Sequence, residues 1–177
     1  MKSTLKKLTY EDYVCYPDDG KRHEIIDGEH FINPAPSTYH QEVSRRIQFQ
    51  LYTQIELEKL GAVIDAPVDV QLSPHDIVQP DLVIVLTDNR IVTPTKVKGS
   101  PEHVIEILSP STEQNDRKLK FDLYQRSGIG EYWIVDPAEQ TIEQFVLTDS
   151  KYVPREHNDH ISVSYLPDVS VDLNQVW

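Results

Sequence analysis

A chain of 177 residues, 38% hydrophobic and 26% charged, has the composition of an ordinary globular protein and suffices for one domain, 1–177, burying roughly 70% of its unfolded surface. Seventeen Lys and Arg against 29 Asp and Glu give a net charge of −12, which argues against a protein that coats nucleic acid non-specifically but leaves room for a basic lining at one cleft. No run of about 18 apolar residues is present to span a membrane, and the single cysteine, Cys15, excludes an internal disulfide and a cysteine-based zinc cage and is compatible with the cytoplasm.

The opening MKSTLKKLTYEDY has basic residues without an apolar stretch behind them, so it is not read as a secretory signal. Within it TYEDY predicts a helix start, Thr9 as N-cap and Asp12 in the capping-box position, ending near PDDG at residues 17–20. RHEIIDGEHFINP predicts a hairpin turned at Asp27-Gly28, a dipeptide suited to a type I′ turn. Alternation along its first arm puts Glu24 and Ile26 on one face and His23 and Ile25 on the other.

Residues 38–60 carry Val43, Ile47, Leu51, Ile55 and Leu57 or Leu60 at helical spacing, with Gly61 as the stop; His40 and Gln41 at the opening read as ordinary helix-start polarity. AVIDAPVDVQL and VQPDLVIVL are two β-rich runs separated by turn residues 73–76. A polar loop with Lys96 and Lys98 leads into the strand HVIEIL, and a second helix, about 113–127, ends at Gly128. EYWIVDP and TIEQFVL are further strands, with Tyr132 and Trp133 assigned to the core. The polar tail, 148–177, predicts turns and one or two short edge strands. The whole reads as α/β (α+β): a central mixed sheet flanked by helices, with a hairpin in front and extra strands behind.

Glu106 interrupts the apolar run Val104, Ile105, Ile107, Leu108. An unpaired buried carboxylate costs several kcal/mol, so this one must be paired, protonated or bound to a cation. Asp81 opens PDLVIVL, a second strand apolar on both faces. Two carboxylates on adjacent interior strands raise one another's pKa unless a divalent ion relieves the repulsion. Mg²⁺ suits that role, taking one or two protein carboxylates with water and substrate phosphate completing its shell. In the following helix Asp116, Lys120 and Tyr124 stand at i, i+4, i+8, beside an apolar stripe of Leu119 and Leu123 that would dock on the sheet. Lys120 can reach inward along its aliphatic stem, while Arg117 and Lys118 face solvent.

Plainer readings stand beside these. Asp81 could cap the turn after Pro80, Glu106 could form a structural salt bridge with Lys120, and Lys120 could pair with Asp116 on the helix surface. Glu24 could be a polar hairpin residue. His157 and His160 read as a polar turn, and His103 as a structural residue on the face opposite Glu106. Ser109 and Ser111 lack a G-x-S-x-G elbow, and no glycine-rich phosphate loop is present.

PDLVIV, VIEILSPST and DRKLKFDLYQRSGIGEYWIVDP, with DGKRHEIIDGE upstream and LPDVSVDLNQVW at the end, resemble the signature of the Uma-two family of restriction endonucleases within the PD-(D/E)XK superfamily. The resemblance covers nearly the whole chain. It implies a restriction-endonuclease-like fold with Asp81 and Glu106 as Mg²⁺ (or Mn²⁺) ligands, the Ile107 carbonyl as a further ligand, and Glu24 as a third carboxylate of the same site. The superfamily lysine, two residues after the glutamate, is replaced by Leu108; a lysine moved to the next helix matches Lys120. The implied activity is metal-dependent hydrolysis of DNA phosphodiesters, with a homodimer suited to cutting both strands. Alternatives are a catalytically silent nuclease-fold binding module and a metal-dependent hydrolase of small phosphoesters.

Overall fold

A computed structural model describes residues 6–17 and 19–177. Residues 1–5 of the N-terminal segment and Asp18 of the PDDG turn lie outside the described residues.

The predicted first helix is short, α1 Tyr10–Tyr13, with the Thr9 backbone N–H donating to Asp12 Oδ2 at 2.9 Å. The hairpin pairs β1 Arg22–Ile26 with β2 Glu29–Asn33. Its two turn residues, Asp27 and Gly28, have φ of 53° and 80°, the left-handed pair that a type I′ turn requires. Next comes α2 Thr38–Leu51, capped by the Ser37 side chain and continued by a π turn, Tyr52–Glu56. Val43, Ile47, Leu51 and Ile55 form its buried stripe; Leu57 and Leu60 are exposed instead, because the helical path ends before it can carry them inward.

Both β-rich runs divide where proline removes the N–H that a ladder needs. The first gives β3 Gly61–Asp65 and β4 Val70–Ser73 around Pro67; the second gives β5 Asp76–Val78 and β6 Leu82–Leu86 around Pro80. Gly61 opens β3 rather than merely ending the helix. A Cβ there would stand 2.5 Å from the carbonyl oxygen of Val85 on the paired strand β6.

The rest of the chain supplies β7 Val97–Lys98, β8 His103–Ile107, a π turn Asn115–Lys120 running into α3 Phe121–Arg126, β9 Glu131–Asp136, β10 Thr141–Thr148, β11 Lys151–Arg155, β12 His160–Val163 and β13 Leu166–Asp172. The central sheet has the order β11-β10-β9-β8-β6-β3, with β8 and β9 parallel and the other neighbours antiparallel. That parallel pair needs a crossover, and α3 provides it. The N-terminal hairpin joins a second sheet, β2-β1-β5-β4-β7.

Two cores lie on the two faces of the central sheet. One joins Leu82, Ile84, Ile105 and Trp133 to the α2 stripe and to Val169 and Val171 of the β12–β13 hairpin. The other joins Val83, Val85, Val104 and Tyr132 to Leu123 and Tyr124 of α3 and to Ile26, Val70 and Val78 of the second sheet. The tail supplies the expected short edge strand, β11, but departs from that expectation in β12–β13, which covers a sheet face with inward residues hidden in sequence among polar neighbours. Leu119 also departs, lying exposed at 38% while Asp116, Lys120, Leu123 and Tyr124 turn inward. The wide i→i+5 turn from Asn115 to Lys120 shifts the inward face of that helix off Leu119. Among the described residues, no helix is long and apolar enough to cross a membrane.

Candidate functional site

β6 and β8 run antiparallel with Leu82 opposite Ile105, so the next position along places Asp81 opposite Glu106, on the same side of the sheet. The Ile107 backbone N–H donates to Asp81 Oδ2 at 2.9 Å and locks that register. Both carboxylates are buried, at 4% and 3% exposure. Lys120 enters the cavity they line from the π turn ahead of α3, and Glu24 on β1 stands behind it, in contact with its ammonium.

Lys120 Nζ lies 2.9 Å from Glu24 Oε1, 2.9 Å from Glu106 Oε1 and 3.5 Å from Asp116 Oδ1. Glu24 is fixed by Asn33 Nδ2 at 2.7 Å and the Gln79 backbone N–H at 2.7 Å. Tyr124 donates its hydroxyl to Glu106 Oε1 at 2.6 Å. Asp81 has its own partners: Arg22 Nη1 at 2.8 Å from Oδ1 and His40 Nε2 at 3.1 Å from Oδ2. The four predicted site side chains thus come together, and Ile107 lines the same cavity. Its amide is what Asp81 binds.

The charge inventory is unbalanced. Four carboxylates (Glu24, Asp81, Glu106 and Asp116) face two fixed cations, Arg22 and Lys120. Burial pushes Glu106 well above the usual carboxylate range, only partly countered by Lys120, with Asp116, Asp81 and Glu24 adding repulsion. Asp116 is likewise raised by burial against the pull of Lys120. Burial would raise Asp81 too, but His40 and Arg22 hold it below its ordinary value. Burial would also lower Lys120, yet the carboxylates around it, Glu106 foremost, push it well above the usual lysine range, so it stays charged.

Asp116 Oδ1 is buried without a hydrogen bond, and the cavity among these groups measures about 20 Å³, room for one water-sized occupant. An excess of hard oxygen donors around such a cavity fits a Mg²⁺-type ion. Among the described residues, no group of three or more His, Cys, Asp or Glu side chains is arranged to hold a metal, so the protein's share would be the carboxylate pair.

Sequence reasoning missed Arg22 and read His40 as helix-start polarity. Arg22 shares the hairpin face of Glu24 by period-two alternation, a signal that was available. His40 gave none, because its reach to Asp81 depends on how α2 approaches the sheet. Its Nδ1 is buried without a partner. Arg117 is not simply solvent-facing either: Glu113, Glu143 and Asp136 all pair with it. Lys118 is exposed, as expected. His157 sits in a turn, with Nε2 2.7 Å from the Ile142 carbonyl, and His160 begins β12. His103 lies on the far face, edge-on to Trp133.

Two cleft systems meet at the cavity. A groove of about 220 Å³ shares Arg22 and Asp81 with it, and a cleft of about 520 Å³ shares His40 and Ser109.

The same architecture occurs in the crystal structure of a "putative nuclease belonging to DUF820" from Anabaena variabilis ATCC 29413, with a TM-score of 0.79 over 96% of this chain and 97% of that one, at 17% identity. The "Uncharacterized protein slr1290" of Synechocystis sp. is 27% identical over 146 residues, 81% of this chain and 76% of that protein. The model of the Uma2 family, described as "Putative restriction endonuclease", matches residues 10–174. With a family match running from α1 to just past β13, and an α+β fold shared with that neighbour, this chain belongs to the Uma2 family.

Proposed function

We propose that this protein is a divalent-metal-dependent nuclease that hydrolyses DNA phosphodiester bonds at the cluster of Asp81, Glu106, Lys120 and Glu24. The observation that carries this reading is the pairing of Asp81 with Glu106 on one side of the sheet, in a cavity with more carboxylates than cations. Asp81 and Glu106, with the Ile107 carbonyl, would hold Mg²⁺ or Mn²⁺, which supplies Lewis-acid charge and a bound water of lowered pKa.

The chain's own groups do the rest. Lys120 presents a permanent ammonium to the phosphoryl oxygens on which negative charge builds during in-line attack. Lys120 would take the role of the superfamily lysine, whose strand position, two residues after Glu106, is Leu108 here. Glu24 and Glu106 hold that ammonium in place, and Tyr124 fixes the rotamer of Glu106. Arg22 and His40 keep Asp81 ionised, and so available as a ligand. The buried walls exclude bulk water and strengthen each of these interactions.

Purified protein should nick supercoiled plasmid with Mg²⁺ or Mn²⁺ and not with EDTA, and Asp81→Asn and Glu106→Gln should each abolish nicking. Cutting that persists in both variants would remove this site from the reaction.

A catalytically silent scaffold is the second reading, favoured by the lack of a three-ligand metal group among the described residues and by the net charge of −12. Calorimetric Mn²⁺ binding that disappears in Asp81→Asn supports the nuclease. DNA binding without Mn²⁺ binding or turnover supports the scaffold. Turnover of nucleotides but not of DNA would identify a small-phosphoester hydrolase.

A further inference from the structure

We infer that the outer face of α2 is the track along which a single nucleic-acid strand enters the site, with Arg45 holding a phosphate flanking the scissile one and Phe49 stacking on an unpaired base beyond it. The inference rests on the nuclease reading for what happens at the end of the track, but its own residues lie outside the catalytic cluster.

The groove of about 220 Å³ begins at Arg22 and Asp81 and is walled on its α2 side by Gln41, Ser44, Arg45 and Gln48. Arg45 is exposed and makes no ion pair or hydrogen bond with any described residue, whereas its neighbour Arg46 is tied to Glu42 at 2.6 Å and to the Val176 carbonyl at 3.2 Å. Gln41, Arg45 and Phe49 follow at i, i+4, i+8, about 6 Å apart along the axis and on one side of the helix. Phe49 is 67% exposed, and Arg45 and Phe49 border one further depression. No carboxylate belongs to this stripe, in a chain of net charge −12.

An unpaired guanidinium for phosphate, amides as neutral donors and a bare aromatic ring for a base face make up the ordinary chemistry of single-strand binding. The opposite cleft carries Glu113, Asp136 and Glu139 and would repel a phosphate chain, so the strand reaches the cavity from the α2 side. Asp65 is the one carboxylate on the groove besides Asp81.

Fluorescence anisotropy with a labelled single-stranded oligonucleotide in EDTA, across a salt series, tests the track, alongside Mn²⁺-dependent hydrolysis of bis(p-nitrophenyl) phosphate. Arg45→Glu should weaken oligonucleotide binding at least about tenfold and lower the salt slope by about one. Phe49→Ala should weaken it about tenfold with the salt slope unchanged. Asp65→Asn should tighten binding, Arg46→Gln should leave it as it is, and all four should hydrolyse the small diester like the parent. Unchanged binding by both Arg45→Glu and Phe49→Ala overturns the inference. Tighter binding of duplex, with Phe49→Ala silent, overturns its single-strand assignment. Diester hydrolysis without oligonucleotide binding sinks the track and leaves the hydrolytic site standing. Arg45-dependent binding without hydrolysis of any diester does the reverse, and a protein that does neither overturns both.

Discussion

Lys120 and Glu106 form a buried ion pair, Nζ 2.9 Å from Oε1, with the two side chains 4% and 3% exposed. The pair is not closed, because Glu24 and Asp116 claim the same ammonium. A structural salt bridge would balance its charges; this cluster leaves carboxylate in excess, as a site that receives a cation should. Removing the lysine from such a cluster strands buried negative charge. Lys120→Met is therefore expected to lose nicking activity and to destabilise the protein by about 3–5 kcal/mol in urea unfolding. Mn²⁺ should restore more stability to this variant than it adds to the parent. A loss below about 1 kcal/mol would mean that the acids are protonated in the fold and do not depend on the ammonium.

His40 donates from Nε2 to Asp81 Oδ2 across 3.1 Å while its Nδ1 stays buried and unbonded. Partners that orient a metal-binding carboxylate are commonly worth about 10- to 100-fold in activity. His40→Gln should lower plasmid nicking by that order with an unchanged unfolding midpoint. Full activity would return His40 to the role of helix-start polarity.

The far face of the sheet predicts an acid response. Burial pushes His103 down to about 4, partly opposed by Glu131. A histidine whose folded pKa is depressed adds stability that is present above its unfolded value, about 6.5, and lost as pH falls through the folded one. The protein should therefore lose about 3 kcal/mol between pH 6.5 and pH 4 from this group. Glu131, itself held low by His103 and Ser164 against the effect of burial, acts in the same direction at lower pH. His103→Phe keeps the edge contact with Trp133 and removes the titration, so its unfolding free energy should be flatter over that window. A variant as pH-sensitive as the parent would put the acid-labile group elsewhere.

Glu131 also ties the C-terminal hairpin to the sheet. Its Oε1 accepts from Trp133 Nε1 and Gln144 Nε2, both at 2.6 Å, and its Oε2 accepts the Ser164 backbone N–H at 2.8 Å. Glu131→Ala would leave these buried donors unmet, at about 1–3 kcal/mol each. Hydrogen exchange should show β12 and β13 opening first. Uniform loss of protection across the sheet would contradict a local clamp.

Much of this molecule was legible before any coordinates. Asp27-Gly28 specifies its own turn, because both residues tolerate the positive φ that the hairpin needs. The apolar runs around Asp81 and Glu106 announce interior strands, and the i, i+4, i+8 spacing brings Asp116, Lys120 and Tyr124 to one side. These features depend on neighbours within a few residues, the range over which backbone sterics and side-chain periodicity act. The sequence by itself therefore determined the elements, the family and the acids that an interior sheet could not leave uncompensated.

Tertiary structure alone decided which partner each acid takes: Arg22 and His40 for Asp81, and one lysine shared by Glu24, Glu106 and Asp116. It also decided that the hairpin joins a second sheet, that a polar tail covers the far face, and that Leu119 points outward. Each outcome depends on register between strands distant in the chain, or on a π turn that shifts the inward face of a helix. Local periodicity carries no record of either. The charge balance of the cavity is a sum over β1, the entry to β6, β8 and the turn before α3, and it exists only once all four have met.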